Sequence, residues 1–223
     1  MGKIYAVREG RQTGIFHTWG ECEAQVKGFK GAKFKSFNTM EEAMAFIDNA
    51  SSKTDLETTA SSLSVTRATD EDVRLYLKNL SSGSTNAVAF VDGSFNIETG
   101  VYGAGVILYD PINDTLIKIE EDGSGKAASM RNVAGEILAA TEAMKYCILN
   151  NISSLDIYYD YQGIESWATG DWKTNNENTR TYKELCDTLR EVLTLRYHHV
   201  DGHSGVFGNE YVDRMAKHAC GVD

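Results

Sequence analysis

Two acidic residues stand where an apolar strand would end. The run 87–95, AVAFVDGSF, is small and apolar up to Asp92 and then passes into what reads as a turn of Gly93 and Ser94. LDIYYD, 155–160, closes in the same way on Asp160. Such runs belong inside a sheet, where a carboxylate is costly unless it is paired or holds a metal ion. Taken alone, Asp92 is also what an ordinary strand ending in a turn-forming Asp-Gly would show. A third acid, Glu136, falls in the first turns of 132–150, where Ile137, Ala140, Met144 and Ile148 share one helical face.

The elements that must position these acids follow from periodicity and turn signals. Strands are predicted over 87–94, 101–109 and 115–120, separated by ETG and DPIND, hence an antiparallel meander. The helix 132–150, the strand 155–160, helices over 163–169 and 178–193, the strand 194–200 and a closing helix 208–219 complete the domain. The second of those helices carries Tyr182, Leu185, Leu189 and Val192 on one stripe. Three antiparallel strands followed by helix-strand alternation give an α/β fold, a mixed five-stranded sheet with helices on both faces.

A small α/β module precedes it. Residues 3–8 and 13–17 read as a hairpin, and AKFKSF, 32–37, as a third strand. Thr18 with Glu21 and Thr39 with Glu42 are capping-box signatures ahead of two helices. Alternation along the third strand puts Lys33, Lys35 and Phe37 on one face and Phe34 on the other. Between the modules, 50–86 is rich in Ser and Thr and reads as a linker. Within it, Thr69 caps a predicted helix, TDEDVRLYLKNL, with Val73, Leu77 and Leu80 at helical spacing. This helix either docks on the second domain or stands off it. The expected divisions are 1–49, 50–86 and 87–223.

The chain has 223 residues, 42% hydrophobic, with one Pro, enough for a proper core. No apolar run approaches a membrane span, and 1–10 carries charges where a secretory core would be apolar, so a cytoplasmic protein with no membrane partner is expected. Cys22, Cys147, Cys186 and Cys220 form no close pair and are read as reduced thiols. The net charge of -10 argues against nonspecific nucleic-acid binding. It is unevenly spread, with seven Lys/Arg against six Asp/Glu in 1–50 and fifteen against twenty-six in the rest.

Four segments carry a resemblance. GHSGVFGNEYVDRMA, 202–216, resembles the C-terminal signature of the ribonuclease H family, in which a loop His leads into a helix bearing the last catalytic acid. FVDGSF, RNVAGEILAATEA and YYDYQGI are similar to the family's first three motifs. The resemblance implies Asp92, Glu136, Asp160 and Asp213 as catalytic metal ligands and His203 as the loop His, able to move protons or help release product. It also implies minor-groove contacts from Asn132 and Gln162, and more weakly from Gly93, Ser94 and Asn209, where an RNA 2′-hydroxyl is read. The stretch 3–37 resembles the hybrid-binding domain of many type 1 ribonucleases H and of viroplasmin-like proteins. On that resemblance Trp19, Phe34 and Lys35 hold an RNA/DNA duplex; the lesser alternative for Trp19 and Phe34, from residue type alone, is packing in the core. Ser36 stands where many relatives carry a second lysine. In ATGDWKTNNENTRTY, where relatives carry a lysine-rich protrusion, only Lys173 and Arg180 are basic, which fits the N-terminal module supplying affinity. Trp167 and Trp172 either border the DNA-strand groove or pack in the core.

The implied activity is endonucleolytic cleavage of the RNA strand of RNA/DNA hybrids, leaving 3′-hydroxyl and 5′-phosphate ends. Phosphodiester hydrolysis needs a nucleophilic water and a leaving oxygen stabilised together, which two Mg2+ ions, or Mn2+, can do. Hard cations want oxygen ligands, and four converging acids would repel one another without them. No tightly bound organic cofactor is expected, and a monomer is favoured.

Overall fold

The computed structural model describes residues 3–29, 31–37, 43, 64–81, 85–202 and 205–222, in two compact units, Met1–Thr58 and Thr59–Asp223. In the first, β1 (Ile4–Glu9) lies between β2 (Gly14–Phe16) and β3 (Lys33–Phe37), antiparallel to both. The helix α1 (Trp19–Val26) starts on the expected capping box: the Glu21 amide donates to Thr18 Oγ1 at 3.3 Å, and the Thr18 amide to Glu21 Oε2 at 3.0 Å. Val7, Cys22 and Val26 form the core, with Tyr5, Phe16 and Ala32 against it. The second capping box, its helix apart from Ala43, and the Ser/Thr-rich residues 50–63 lie outside the described residues.

The second unit is a five-stranded sheet in the order β6-β5-β4-β7-β8. The meander of β4 (Asn86–Asn96), β5 (Val101–Asp110) and β6 (Thr115–Gly123) is antiparallel, and β7 (Ser154–Tyr159) and β8 (Thr194–His199) run parallel to β4. Helices α3 (Asn132–Leu149), α4 (Gly163–Thr169) and α5 (Glu177–Leu189) intervene, and α6 (Phe207–Ala219) closes the chain. β4 is buried from Ala87 to Asp92 because helices cover both its faces, hence its unalternating apolar sequence. Charged Lys118, Glu120, Glu121 and Asp122 protect the β6 edge.

One face of the sheet packs Ala89, Val91, Val106 and Ile157 against Ala140, Ala143 and Met144 of α3, and Trp167 and Tyr182 join this core. The other face is aromatic. Phe90 stacks on Tyr158 at 4.7 Å, and Tyr76 meets Phe207 edge-on at 5.0 Å. Tyr76 belongs to α2 (Asp70–Leu80), the helix from the 50–86 stretch, so that helix docks on this sheet. Its Val73 and Leu77 are fully buried, and Arg74 and Lys78 both pair with Asp114 in the β5–β6 turn.

Two local expectations change. Gly93 and Ser94 are not a turn: they pair with Ala104 and Gly103, and β4 runs on to Asn96. The helix expected over 178–193 ends at Leu189, whose carbonyl accepts the amides of both Val192 and Leu193 in a tight turn into β8. Val192, expected on the apolar stripe, is therefore 61% exposed.

Candidate active site

Asp92 sits on the central strand, and Gly93 lets the α3 helix come to it. A Cβ at Gly93 would lie 2.2 Å from the Glu136 nitrogen and 2.4 Å from the Asn132 carbonyl oxygen, so only glycine allows the first turn of α3 against β4. On the neighbouring strand a Cβ at Gly105, the partner of Asp92, would lie 2.4 Å from the carbonyl oxygen of Val212, one residue before Asp213. Missing side chains thus bring both acid-bearing helices onto β4 and β5. Asp160 arrives by register: β7 pairs with β4 through Phe90 and Tyr158, and two residues further on Asp160 comes level with Asp92.

Carboxylate oxygens of Asp92, Glu136 and Asp160 all lie within 4.8 Å of one another. Asp213 stands outside that trio with its Oδ2 2.6 Å from Lys217 Nζ, though its charge still acts on Asp92. Burial pushes the Asp92 carboxyl up to about 7, and the charges of Asp160 and Asp213 add to the effect against hydrogen bonds that lower it. Glu136 is raised well above the usual carboxylate range, by burial and then by the charge of Asp92. Glu136 Oε2 and Asn209 Oδ1 are buried without a hydrogen-bond partner among the described residues. Buried oxygen acceptors without donors, beside a cluster of three carboxylates, fit a hard divalent cation with its water ligands.

The other expected residues divide. Gly93 and Ser94 are half-buried beside the trio, and Asn132 is exposed as the first residue of α3. Its neighbour Arg131 holds a left-handed φ of 55°, uncommon for a side chain of this kind. Gln162, exposed, places its amide on Glu165 and Ser166. Asn209 is 5% exposed, and its Nδ2 donates to Asp160 Oδ2 at 3.1 Å, inside the acid cluster. His203 lies outside the described residues, but Gly202 passes beside Asp160: a Cβ there would be 3.2 Å from Asp160 Oδ2.

In the N-terminal unit Trp19 and Phe34 are exposed, with ring centroids 5.7 Å apart, and Tyr5 backs Trp19 at 5.6 Å. Lys35 is on the other face of β3, its ammonium over Phe37 at 5.6 Å. Trp167 belongs to the core, whereas Trp172 is 42% exposed on a pocket of about 410 Å³ lined also by Lys173, Asn175 and Asn176.

Two residues near the acids carried no expectation. Lys217 is legible afterwards as the i+4 partner of Asp213. His199, whose Nε2 lies 3.0 Å from the Asp160 carbonyl oxygen, gave no sequence signal, since its partner is backbone thirty-nine residues away.

Comparisons with known proteins agree with this geometry. Residues 3–47 match the family described as Ribonuclease H1 N-terminal domain, and residues 84–221 the family described as RNase H. Ribonuclease H1 of Rattus norvegicus is 32% identical over 260 residues, covering 97% of this chain and 89% of the rat protein. Ribonuclease H1 of Homo sapiens is 30% identical with the same coverage. The crystal structure of RNase H1 from the halophilic archaeon Halobacterium salinarum NRC-1 aligns with a TM-score of 0.51 at 19% identity, covering 62% of this chain and 99% of that one, a likeness of fold. The second unit's family match, the near full-length relatives and the acid cluster on the mixed sheet agree: this chain belongs to the ribonuclease H family, the divalent-metal-dependent endoribonucleases of RNA/DNA hybrids.

Proposed function

We propose that this chain hydrolyses the RNA strand of RNA/DNA hybrids with two Mg2+ ions, or Mn2+ in their place, and leaves 3′-hydroxyl and 5′-phosphate ends. The reading rests on three carboxylates from separate elements meeting within 4.8 Å, with a buried oxygen of Glu136 left unpaired. Two divalent ions bound together supply an activated water and a stabilised leaving oxygen. Asp92, Glu136, Asp160 and Asp213 would hold the ions, with Asp92 on the central strand the carboxylate shared by the site. The Lys217 ammonium holds the Asp213 carboxylate at 2.6 Å and would have to share it with a bound cation. His203 moves protons or assists product release. Asn132, Gln162, Gly93 and Ser94 read the minor groove, where the RNA 2′-hydroxyl is presented.

The module at 1–49 holds the duplex, with the faces of Trp19 and Phe34 against sugars and Lys35 on a phosphate. The catalytic domain is 87–223, with α2 packed on it. The deciding assay offers strand-labelled RNA/DNA hybrid, double-stranded RNA, double-stranded DNA and single-stranded RNA, each with Mg2+, with Mn2+ and with chelator. Metal-dependent cutting of the RNA in the hybrid alone is expected, and Asp92→Asn abolishes it while hybrid binding persists. Tight hybrid binding by the wild-type chain without any cleavage would overturn the catalytic reading in favour of a binding protein.

A further inference from the structure

Among the three clustered acids, Asp160 is the half-buried one and lies beyond the end of its own strand. The ladder between β7 and β8 ends at Tyr159 and His199, and the Val200 amide closes it on the Tyr159 carbonyl at 2.9 Å. Past that point the Asp160 carbonyl has left the sheet. The His199 side chain reaches it, with Nε2 at 3.0 Å. The same ring meets Tyr159 edge-on at 5.5 Å, and the Tyr159 hydroxyl donates to Glu165 in the first turn of α4. On the opposite side, the Asn209 amide holds the Asp160 carboxylate.

We propose that His199 is a positioning residue for Asp160. Its Nε2–H, donated to the carbonyl, extends the β7–β8 ladder by one rung at an edge strand that would otherwise fray. The backbone of the acid is thereby fixed while Asn209 fixes its head group, and the carboxylate is held level with Asp92. A neutral Nε2–H tautomer suffices for this, so the contact needs no charge on the ring. Gly202, three residues after His199, also passes against the Asp160 carboxylate.

The inference rests on the metal-dependent reading above, and its test separates the two. Full-length wild type, His199→Ala and His199→Gln are compared for Mn2+ binding by calorimetry without hybrid, and for kcat, KM and Mg2+ requirement in hybrid cleavage. A glutamine amide reaches about as far as Nε2 and still donates. His199→Ala is expected to weaken Mn2+ binding and lower kcat by about tenfold each, in the range typical of lost outer-shell partners, with KM for hybrid unchanged. Because His199 is exposed, its unfolding midpoint should stay within about 3 °C of wild type. His199→Gln restores most of both losses. Mn2+ affinity in His199→Ala within twofold of wild type, or a glutamine variant as impaired as alanine, overturns the positioning role. A wild-type chain that binds Mn2+ but cuts nothing overturns the catalytic reading, and the calorimetric comparison then still decides for or against His199.

Discussion

In the N-terminal unit Trp19 and Phe34 stand 45% and 42% exposed with their rings in contact, whereas in the second unit Asp92 and Glu136 are 7% and 2% exposed with their carboxylates pressed together. The first arrangement exists without a ligand. Exposed aromatic rings tilted against one another at 44° cost the fold little, and their π faces would suit a sugar or base that fits between phosphate contacts. The second arrangement is conditional. Burial and the charge of Asp92 oppose the ionisation of Glu136, burial and the charges of Asp160 and Asp213 oppose that of Asp92, and a divalent cation with its waters would satisfy the acceptors left without donors. On the proposed reading one site is ready in any buffer, and the other depends on metal and pH.

The strongest way to break this contrast is at Gly93. In Gly93→Ala the new methyl would meet backbone atoms of Glu136 and Asn132 at 2.2 and 2.4 Å, so α3 has to lift from the sheet. Overpacking of this kind costs about 1–3 kcal/mol. A displacement near 1 Å at a reacting group costs about a hundredfold in rate. Hybrid cleavage by Gly93→Ala is expected to fall at least that far, while hybrid binding through the N-terminal unit stays near wild type. Equal loss of both would mean that the two sites are not independent.

The next effect is on stability. A carboxyl held higher in the folded chain than in the unfolded one binds its proton more tightly when folded, so its contribution is present at low pH and lost as pH rises. For Asp92 that window runs from the ordinary 3.8 up through about 7. With chelator present, the unfolding midpoint of the wild-type chain should drop across this range, by several degrees. Mg2+ added at pH 8 should restore it, and Asp92→Asn should flatten both responses. A midpoint that climbs between pH 4 and 7 in chelator would show that other groups outweigh the acid cluster.

How much of this was legible in the sequence depended on whether a residue's role is local. Asp92 and Asp160 showed themselves because each ends an apolar run, and the strand and helix positions followed from the same periodicity. Asp213 sits on an amphipathic helix among ordinary surface charges and was visible only through its motif. Gly93 was misread as a turn because Asp-Gly usually makes one. Its real task, admitting α3, depends on a helix some forty residues later. The docking of α2 was equally hidden: β4 is buried on both faces, so its pattern does not say that Phe90 will be met by Tyr76. The contact of Lys35 is local in the other sense, since strand alternation alone placed it opposite Phe34.

That alternation supplies the smallest and sharpest test of the comparison. Trp19 and Phe34 share one surface of the N-terminal unit, and Lys35 points away from it on the outer strand β3. If the aromatic pair carries the duplex, Trp19→Ala removes a stacking surface worth about 1–3 kcal/mol, an affinity loss of about tenfold or more. Lys35→Ala removes at most one phosphate contact, so affinity falls about twofold to threefold and the dependence on salt lessens by about one counterion. Both effects should be the same with Mg2+ or with chelator, and at pH 6 or pH 8, when measured on the Asp92→Asn chain so that the hybrid survives. A lysine variant weaker than the tryptophan variant would move the duplex to the opposite face of β3. An affinity that changed with metal would show that the acid cluster also takes part in holding the hybrid, and the division between a ready site and a conditional one would fail.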